Sequence, residues 1–140
     1  DLVLFERYHA GREFTVGVVG EETFPVGEIV PEHEIFDYEC KYQPGMAQEI
    51  FPAVISTERS NRLRMLALDV HRTLRMRDYS RVDFIVDGDG HAWCLEANAL
   101  PGMTANSLLP KCAAAAGIAF PTLCDRIVGL AQTRSAGHSA

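Results

Sequence analysis

The chain has 140 residues, of which 47% are hydrophobic, and carries a formal net charge of −6. This length and apolar content suit one domain with its own core. The acidic charge disfavours nucleic-acid binding, because phosphate backbones attract basic surfaces. No apolar run reaches membrane-spanning length and no signal peptide is visible, so we expect a cytoplasmic protein without a membrane or nucleic-acid partner.

The first part of the chain has the alternating pattern and turn residues of β-strands. We predict strands at residues 2–6, 13–19 and 23–30, with a turn at 20–22 joining the last two. A long irregular segment rich in Glu, Tyr, Pro and Gly follows at about 31–51. Loops of that length inside compact domains are usually functional or disordered.

Apolar residues recur at helical spacing behind a cap at Ser56 or Thr57. They are Leu63, Leu66, Ala67, Val70 and Leu74. The pattern predicts an amphipathic helix that covers one side of the sheet. The arginines of this helix are spread around it, which favours a solvated outer face over a nucleic-acid site.

Two further helices are predicted in the last third of the chain. Ser107 is a suitable N-cap, Pro110 lies in the first turn where its missing N–H costs little, and Gly117 is a suitable C-terminal stop. A last helix is predicted near residues 121–131. The tail at 132–140 has no core residues, and we expect it to be disordered.

The stretch from Arg81 to Asn98 contains the polar side chains that we consider for a functional site. Alternating apolar residues flank an Asp-Gly-Asp-Gly turn, which predicts two antiparallel strands joined by a tight loop. An even loop length would place the polar side chains of both strands on one face, because side chains alternate across a sheet. These side chains belong to Arg81, Asp83, Glu96 and Asn98. Asp83 would lie opposite or diagonal to Glu96, whereas an odd loop would scatter the set.

Two adjacent carboxylates repel each other unless a cation lies between them, and oxygen ligands suit a hard divalent ion far better than zinc. We therefore predict a magnesium site at Asp83, Glu96 and Asn98. The alternative is a solvent-facing polar side of an edge hairpin. The Pro-Gly turn at 99–104 and the helix start at Ser107 favour a ligand site, because backbone amides at such places bind anions.

Four groups of residues, in order, resemble the carboxy-terminal lobe of D-alanine:D-alanine ligases, which are ATP-grasp enzymes of peptidoglycan synthesis. They are Arg-Val-Asp-Phe at 81–84, Leu-Glu-Ala-Asn at 95–98, Leu-Pro-Gly-Met-Thr at 100–104 and Ser-Leu-Leu-Pro at 107–110. The similarity extends from Leu2 to about Ala131. It implies an α+β fold, a largely antiparallel sheet with helices packed on it, and a catalytic lobe at residues 1–131.

The resemblance implies that the predicted metal ligands hold two Mg²⁺ ions, or alternatively Mn²⁺, which bridge the phosphates of ATP as co-substrate. Glu96 would be shared between the two ions. Glu13 would accept hydrogen bonds from the ribose hydroxyls. A second set of residues would meet the adenine: Glu6, Arg7, Tyr8 and His9.

The implied reaction joins two D-alanines in two steps. The carboxylate of one D-alanine attacks the γ-phosphate to give an acyl phosphate, and the amine of the second then displaces phosphate. Arg81 and the Gly102 N–H would stabilise the developing oxyanion. Ser107 and Leu108, at the predicted helix start, would bind the carboxylate of the second substrate.

The long segment before the first helix also matches the ligases. By resemblance, Lys41 would lie near the transferred phosphoryl group. Tyr42 would help to close the segment over the site and exclude water, which matters because acyl phosphates hydrolyse. The Lys41-Tyr42 pair favours the dipeptide-forming ligases over those that join D-alanine to D-lactate.

An ATP-grasp enzyme clamps its nucleotide between two lobes, and the chain lacks a glycine-rich phosphate loop and an amino-terminal substrate domain. It begins with Asp1 rather than Met. We therefore expect the amino-terminal and central lobes to be missing partners, and the isolated chain to be weakly active or inactive. The resemblance also suggests a homodimer. Two alternatives stay open: a freestanding nucleotide- and metal-binding module, and an ATP-grasp ligase with a different acceptor.

Overall fold

The computed structural model describes residues 2–31 and 47–136. Its strands are β1 (Arg12–Val19), β2 (Glu22–Thr23), β3 (Gly27–Pro31), β4 (Ala47–Ile50), β5 (Tyr79–Val86) and β6 (Ala92–Asn98). Its helices are α1 (Thr57–Thr73), α2 (Leu108–Ala115) and α3 (Phe120–Ala136). The strands form one antiparallel sheet in the order β4-β3-β1-β5-β6, and β2 pairs with β1. This arrangement confirms the predicted fold class.

One face of the sheet forms the main core against α1. Strands β1 and β5 pair along their full lengths, so Phe14 lies opposite Phe84 and Val16 lies opposite Val82. These side chains are at most 1% exposed, and Leu63 of α1 packs against them. Burying this apolar surface stabilises the β1–β5 pair at the centre of the sheet.

The predicted start of α1 and the predicted start and stop of α2 are confirmed. Ser56 caps α1, and its hydroxyl accepts a hydrogen bond from the Arg59 N–H at 3.2 Å. Ser107 precedes α2, but its hydroxyl accepts a bond from the Thr104 N–H at 3.1 Å instead of capping the helix. Gly117 follows α2 with a φ of +77°, the left-handed conformation that ends many helices.

The second face of the sheet is only partly covered. Helices α2 and α3 pack over the end near Val19, where Leu109 and Leu123 are fully buried. Gly17 permits this close packing, because a Cβ placed there would lie 2.5 Å from the Leu109 Cδ1 atom. Beyond Gly17, toward Glu13, the face borders an open cleft.

Several predicted boundaries are wrong. Residues 2–6 form no strand, since the chain is irregular up to residue 10. The predicted strand at 23–30 is divided into β2 and β3, because Phe24 turns into the core and Pro25 cannot donate to a ladder. The end of the long segment forms the edge strand β4, and the last helix extends to Ala136 rather than 131.

Among the described residues, no single helix is long and apolar enough to cross a bilayer. Helices α2 and α3 reach that length and composition only as a pair, bent by 105° at the break between them.

Gly17→Ala should destabilise the protein, because the new methyl group collides with Leu109 in a fully buried contact. We expect a loss of about 1–3 kcal/mol in the free energy of unfolding, measured by urea titration. Gly129→Ala is the matched control, since a Cβ at Gly129 in α3 meets nothing within 4 Å. That control should stabilise the helix by about 0.5–1 kcal/mol. Equal effects of the two variants would contradict the close packing of α2 on β1.

Candidate active site

The polar side chains of the β5–β6 hairpin converge on one face. Arg81 pairs with Asn98 across the strands, and Asp83 pairs with Glu96. The Arg81 Nη2 atom lies 2.8 Å from Asp83 Oδ2 and 3.4 Å from Glu96 Oε1. Asn98 Nδ2 donates a hydrogen bond to Glu96 Oε1 at 3.0 Å. The predicted shared face is therefore confirmed.

A β-bulge produces this convergence. The hairpin loop at 87–91 has an odd number of residues, which alone would have scattered the polar set. The register shifts by one residue next to Asp83, so that Asp83 pairs with Glu96 whereas Phe84 pairs with Cys94. The extra residue on β6 restores the parity. The expectation that only an even loop could align these side chains was wrong.

A buried hydroxyl on the neighbouring strand fixes Asp83. Thr15 lies opposite Asp83 in the β1–β5 ladder, and its Oγ1 donates to Asp83 Oδ1 at 2.7 Å. Thr15 is fully buried and Asp83 is 4% exposed. The sequence analysis missed Thr15, because the pairing of two strands that lie far apart in the chain has no local signal. Because side chains two residues apart on a strand share a face, the predicted site residue Glu13 was the one indication that Thr15 faces the site.

Arg81 is the positive charge that balances the two carboxylates. Burial lowers the pKa of Arg81, but the hydrogen bonds and negative charge of Asp83, together with the charge of Glu96, outweigh this and raise the pKa above its ordinary value. The guanidinium therefore stays protonated. It neutralises the repulsion between two carboxylates that pair directly across the strands.

The donor set fits a hard divalent cation. Asp83 and Glu96 offer carboxylate oxygens from directly paired positions, and Asn98 offers an amide oxygen on the same face. Oxygen atoms of this kind are the ligands that Mg²⁺ prefers. Because Arg81 contacts both carboxylates, a bound ion would share them with the guanidinium.

A cleft of about 660 Å³ opens on this face of the sheet. This volume is within the range of small-molecule sites. Asp83 and Glu96 line the cleft together with the irregular segment at 6–9. The structure thus brings the predicted metal carboxylates together with the whole predicted nucleotide set. That set is Glu6, Arg7, Tyr8, His9 and Glu13.

Three further predicted residues lie at the start of α2 or just before it. Gly102 approaches the N-cap of α2 closely, since a Cβ placed on it would lie 2.7 Å from Ser107 Oγ. Gly102, Ser107 and Leu108 do not line the cleft described above. Lys41 and Tyr42 lie outside the described residues.

Trp93 is a second residue that the sequence analysis missed. The five-residue loop pairs Trp93 with Ile85, and the bulge beyond it puts Glu96 on the same face, so that Trp93, Ile85 and Glu96 all line the cleft. The Trp93 ring stacks on His9 with 4.0 Å between ring centroids. A bulge cannot be located from a strand-like pattern alone, so no sequence signal placed this ring in the site.

Comparison with known proteins decides the family. The profile described as "D-ala D-ala ligase C-terminus" matches residues 1–129, nearly the whole chain. The chain belongs to the D-alanine–D-alanine ligase family. The resemblance inferred from the sequence motifs is confirmed.

Curated relatives of this ligase-family chain carry the same name. The D-alanine–D-alanine ligase of Desulfotalea psychrophila is 44% identical over 140 residues, which cover 96% of this chain and 44% of the relative. The D-alanine–D-alanine ligase of Geotalea uraniireducens is 42% identical over 132 residues, covering 94% of this chain and 43% of the relative. The chain therefore spans less than half the length of these ligases.

Solved structures of ligases share the fold. The D-alanine–D-alanine ligase of Bacillus anthracis complexed with ATP gives a TM-score of 0.81 at 30% identity, covering 96% of this chain and 42% of the other. The VanG D-Ala:D-Ser ligase of Enterococcus faecalis gives 0.77 at 28% identity, covering 88% of this chain and 37% of the other. The described fold is thus that of the ATP-grasp D-alanine ligases.

Arg81→Met should strongly destabilise this ligase-family lobe, because it leaves Asp83 buried beside Glu96 without a neutralising charge. We expect a loss of about 3 kcal/mol in the free energy of unfolding at neutral pH. Arg72→Met removes the same type of side chain from an exposed ion pair with Glu21 and should cost at most about 1 kcal/mol. Thermal and urea unfolding compare the two. Equal losses would show that Arg81 does not balance the carboxylates.

Proposed function

We propose that this lobe supplies the nucleotide- and magnesium-binding half of an ATP-dependent ligase. The enzyme joins two D-alanines through an acyl phosphate, for peptidoglycan precursor synthesis. The observation that supports this most strongly is the single cleft that Asp83, Glu96 and the segment at 6–9 line together. The names of the relatives supply the reaction class, and an ATP complex of one structural relative supplies the nucleotide.

In the proposal, Asp83, Glu96 and Asn98 hold the magnesium ions. When bound, these ions neutralise charge on the ATP phosphates during phosphoryl transfer. Thr15 orients the Asp83 carboxylate through a buried hydrogen bond, so this ligand is fixed before the ion arrives. Arg81 lies between the carboxylates and supports the oxyanion that develops during acyl transfer.

The nucleotide lies along the cleft. Glu13 stands on β1 between Ile29 and Ile85 and accepts hydrogen bonds from the ribose. The adenine lies against the segment at 6–9, and Leu95 contributes an apolar side chain to the same cleft. The cleft thus offers both the carboxylates that bind magnesium and the aromatic and apolar side chains that can pack on a base.

The amino end of α2 is the proposed site for the carboxylate of the second D-alanine. The Ser107 hydroxyl bonds Thr104 and does not cap the helix, in contrast to Ser56 at the start of α1. The first amides of α2 therefore lack that side-chain partner and can bind an anion at the positive end of the helix dipole. Leu108 offers the first of these amides.

Other parts of the proposed enzyme complete the clamp. Because the chain spans 44% of the Desulfotalea psychrophila ligase, we assign the remaining nucleotide and substrate contacts to lobes outside this chain. Lys41 and Tyr42 act from the segment at 32–46, with Lys41 near the transferred phosphoryl group and Tyr42 in the closing segment. Two such ligases would form the homodimer.

Glu96→Gln in the complete ligase should remove magnesium-dependent turnover and preserve the fold. The substitution keeps the shape of a half-exposed side chain but removes a charged ligand, which should lower kcat by about 100-fold or more. ATP-dependent phosphate release with D-alanine measures this loss, and circular dichroism checks the fold.

Glu22→Gln is the matched control, since Glu22 pairs with Arg126 at the surface and lies outside the cleft. It should retain wild-type turnover. Near-normal turnover in Glu96→Gln would remove Glu96 from the metal site. Absence of D-alanine-dependent turnover in the wild-type enzyme would overturn the proposed reaction itself.

A further inference from the structure

Trp93, the only tryptophan in the chain, has two specific contacts that the proposed reaction does not use. Its indole Nε1–H donates a hydrogen bond to Asp87 Oδ2 at 2.9 Å. Its ring stacks on His9, with 4.0 Å between centroids and 21° between ring planes. Trp93 therefore connects the hairpin turn to the irregular segment that precedes β1.

Asp87 gives Trp93 a rigid anchor. The Asp87 Oδ1 atom accepts hydrogen bonds from the Asp89 N–H at 3.1 Å and the His91 N–H at 2.8 Å. The hydrogen bond from Trp93, aided by the His91 amide against the opposing effect of burial, lowers the pKa of Asp87. A charged carboxylate held by its own turn thus fixes the orientation of the indole.

The segment at 2–10 needs such an anchor, because it forms neither helix nor strand. Phe5 and Tyr8 are 91% and 77% exposed, whereas His9 is half-buried under the Trp93 ring. Gly11 then brings the chain against β5, since a Cβ placed there would lie 2.3 Å from the Val86 carbonyl oxygen. The segment is thus held at His9 and at Gly11.

We infer that Trp93 is a positioning residue for the nucleotide. By stacking on His9 it holds residues 6–9 along the cleft that Asp83 and Glu96 also line. The inference rests on the proposed function, because it takes ATP as the occupant of the cleft. It also assigns to Asp87 the role of orienting Trp93. Asp87 would then act on the nucleotide only indirectly, through Trp93 and His9.

The stack can be tested in the chain as it stands, because Trp93 is its one tryptophan and can be excited selectively over the four tyrosines. His9→Ala uncovers one face of the indole, so the acrylamide quenching constant should rise roughly twofold. Phe120→Leu, a change at a ring outside the cleft, should leave the quenching unchanged. Unchanged quenching in His9→Ala would overturn the docking of the segment by Trp93.

The nucleotide role is tested in the complete ligase with Trp93→Leu. Loss of the stack should raise the KM for ATP about tenfold, while kcat and the KM for D-alanine stay within about twofold. Trp93→Phe keeps a ring for His9 but loses the hydrogen bond to Asp87, and it should recover part of the ATP affinity. Phe120→Leu is the matched control, since Phe120 is 37% exposed and Trp93 is 40% exposed.

The outcomes separate the two proposals. An active wild-type enzyme in which Trp93→Leu keeps the wild-type KM for ATP would overturn the positioning role and leave the ligase proposal intact. An equal rise in the KM for ATP in Trp93→Phe and Trp93→Leu would also overturn it, because a ring at this position should keep part of the stack even without the hydrogen bond to Asp87. A wild-type enzyme without D-alanine-dependent turnover would overturn the proposed function and the nucleotide role together, and the quenching experiment would still decide the docking.

Discussion

The row of side chains formed by Thr15, Asp83 and Glu96 on three adjacent strands is the constraint on which the site depends. Two carboxylates that pair directly across antiparallel strands destabilise the sheet unless a cation compensates them. Arg81 provides that cation within the chain, and Thr15 holds Asp83 from the other side. The close pairing of Asp83 and Glu96 lowers the stability of the sheet when no cation is near. The same close pairing allows both carboxylates to bind one hard metal ion.

One face of the sheet forms the main core, and the other face carries the side chains of the candidate active site. The face toward α1 is packed with apolar side chains, and these account for the main core. The other face is closed at one end by α2 and α3, which approach closely at Gly17, and is open at the end that carries Glu13 and Asp83. The uncovered part of the sheet therefore holds the candidate ligand groups on paired strands, and the irregular segment at 6–9 lines the same cleft.

Local signals in the sequence predicted most of the elements and the shared face of the β5–β6 hairpin, whereas the pairing of strands distant in the sequence could not be predicted. The helix boundaries at Ser56, Ser107 and Gly117 depend on neighbouring residues, so the sequence alone predicted them, although the Ser107 hydroxyl does not cap its helix. Thr15 depends on a partner strand distant in sequence, and the bulge beside Asp83 depends on the fit of two strands. The apolar run at 2–5 has the pattern of a strand but is exposed, and within the described residues no strand pairs with it.

Paramagnetic broadening by Mn²⁺ tests the central claim most directly, with ATP present and amide signals observed by NMR. The hairpin turn offers a competing cluster, since the ligand atoms of Asp87, Asp89 and His91 lie within 4.8 Å of one another. If Asp83, Glu96 and Asn98 bind the metal ion, their signals should broaden at the lowest Mn²⁺ concentration. Broadening that begins at residues 87–91 and leaves residues 83, 96 and 98 sharp would contradict it.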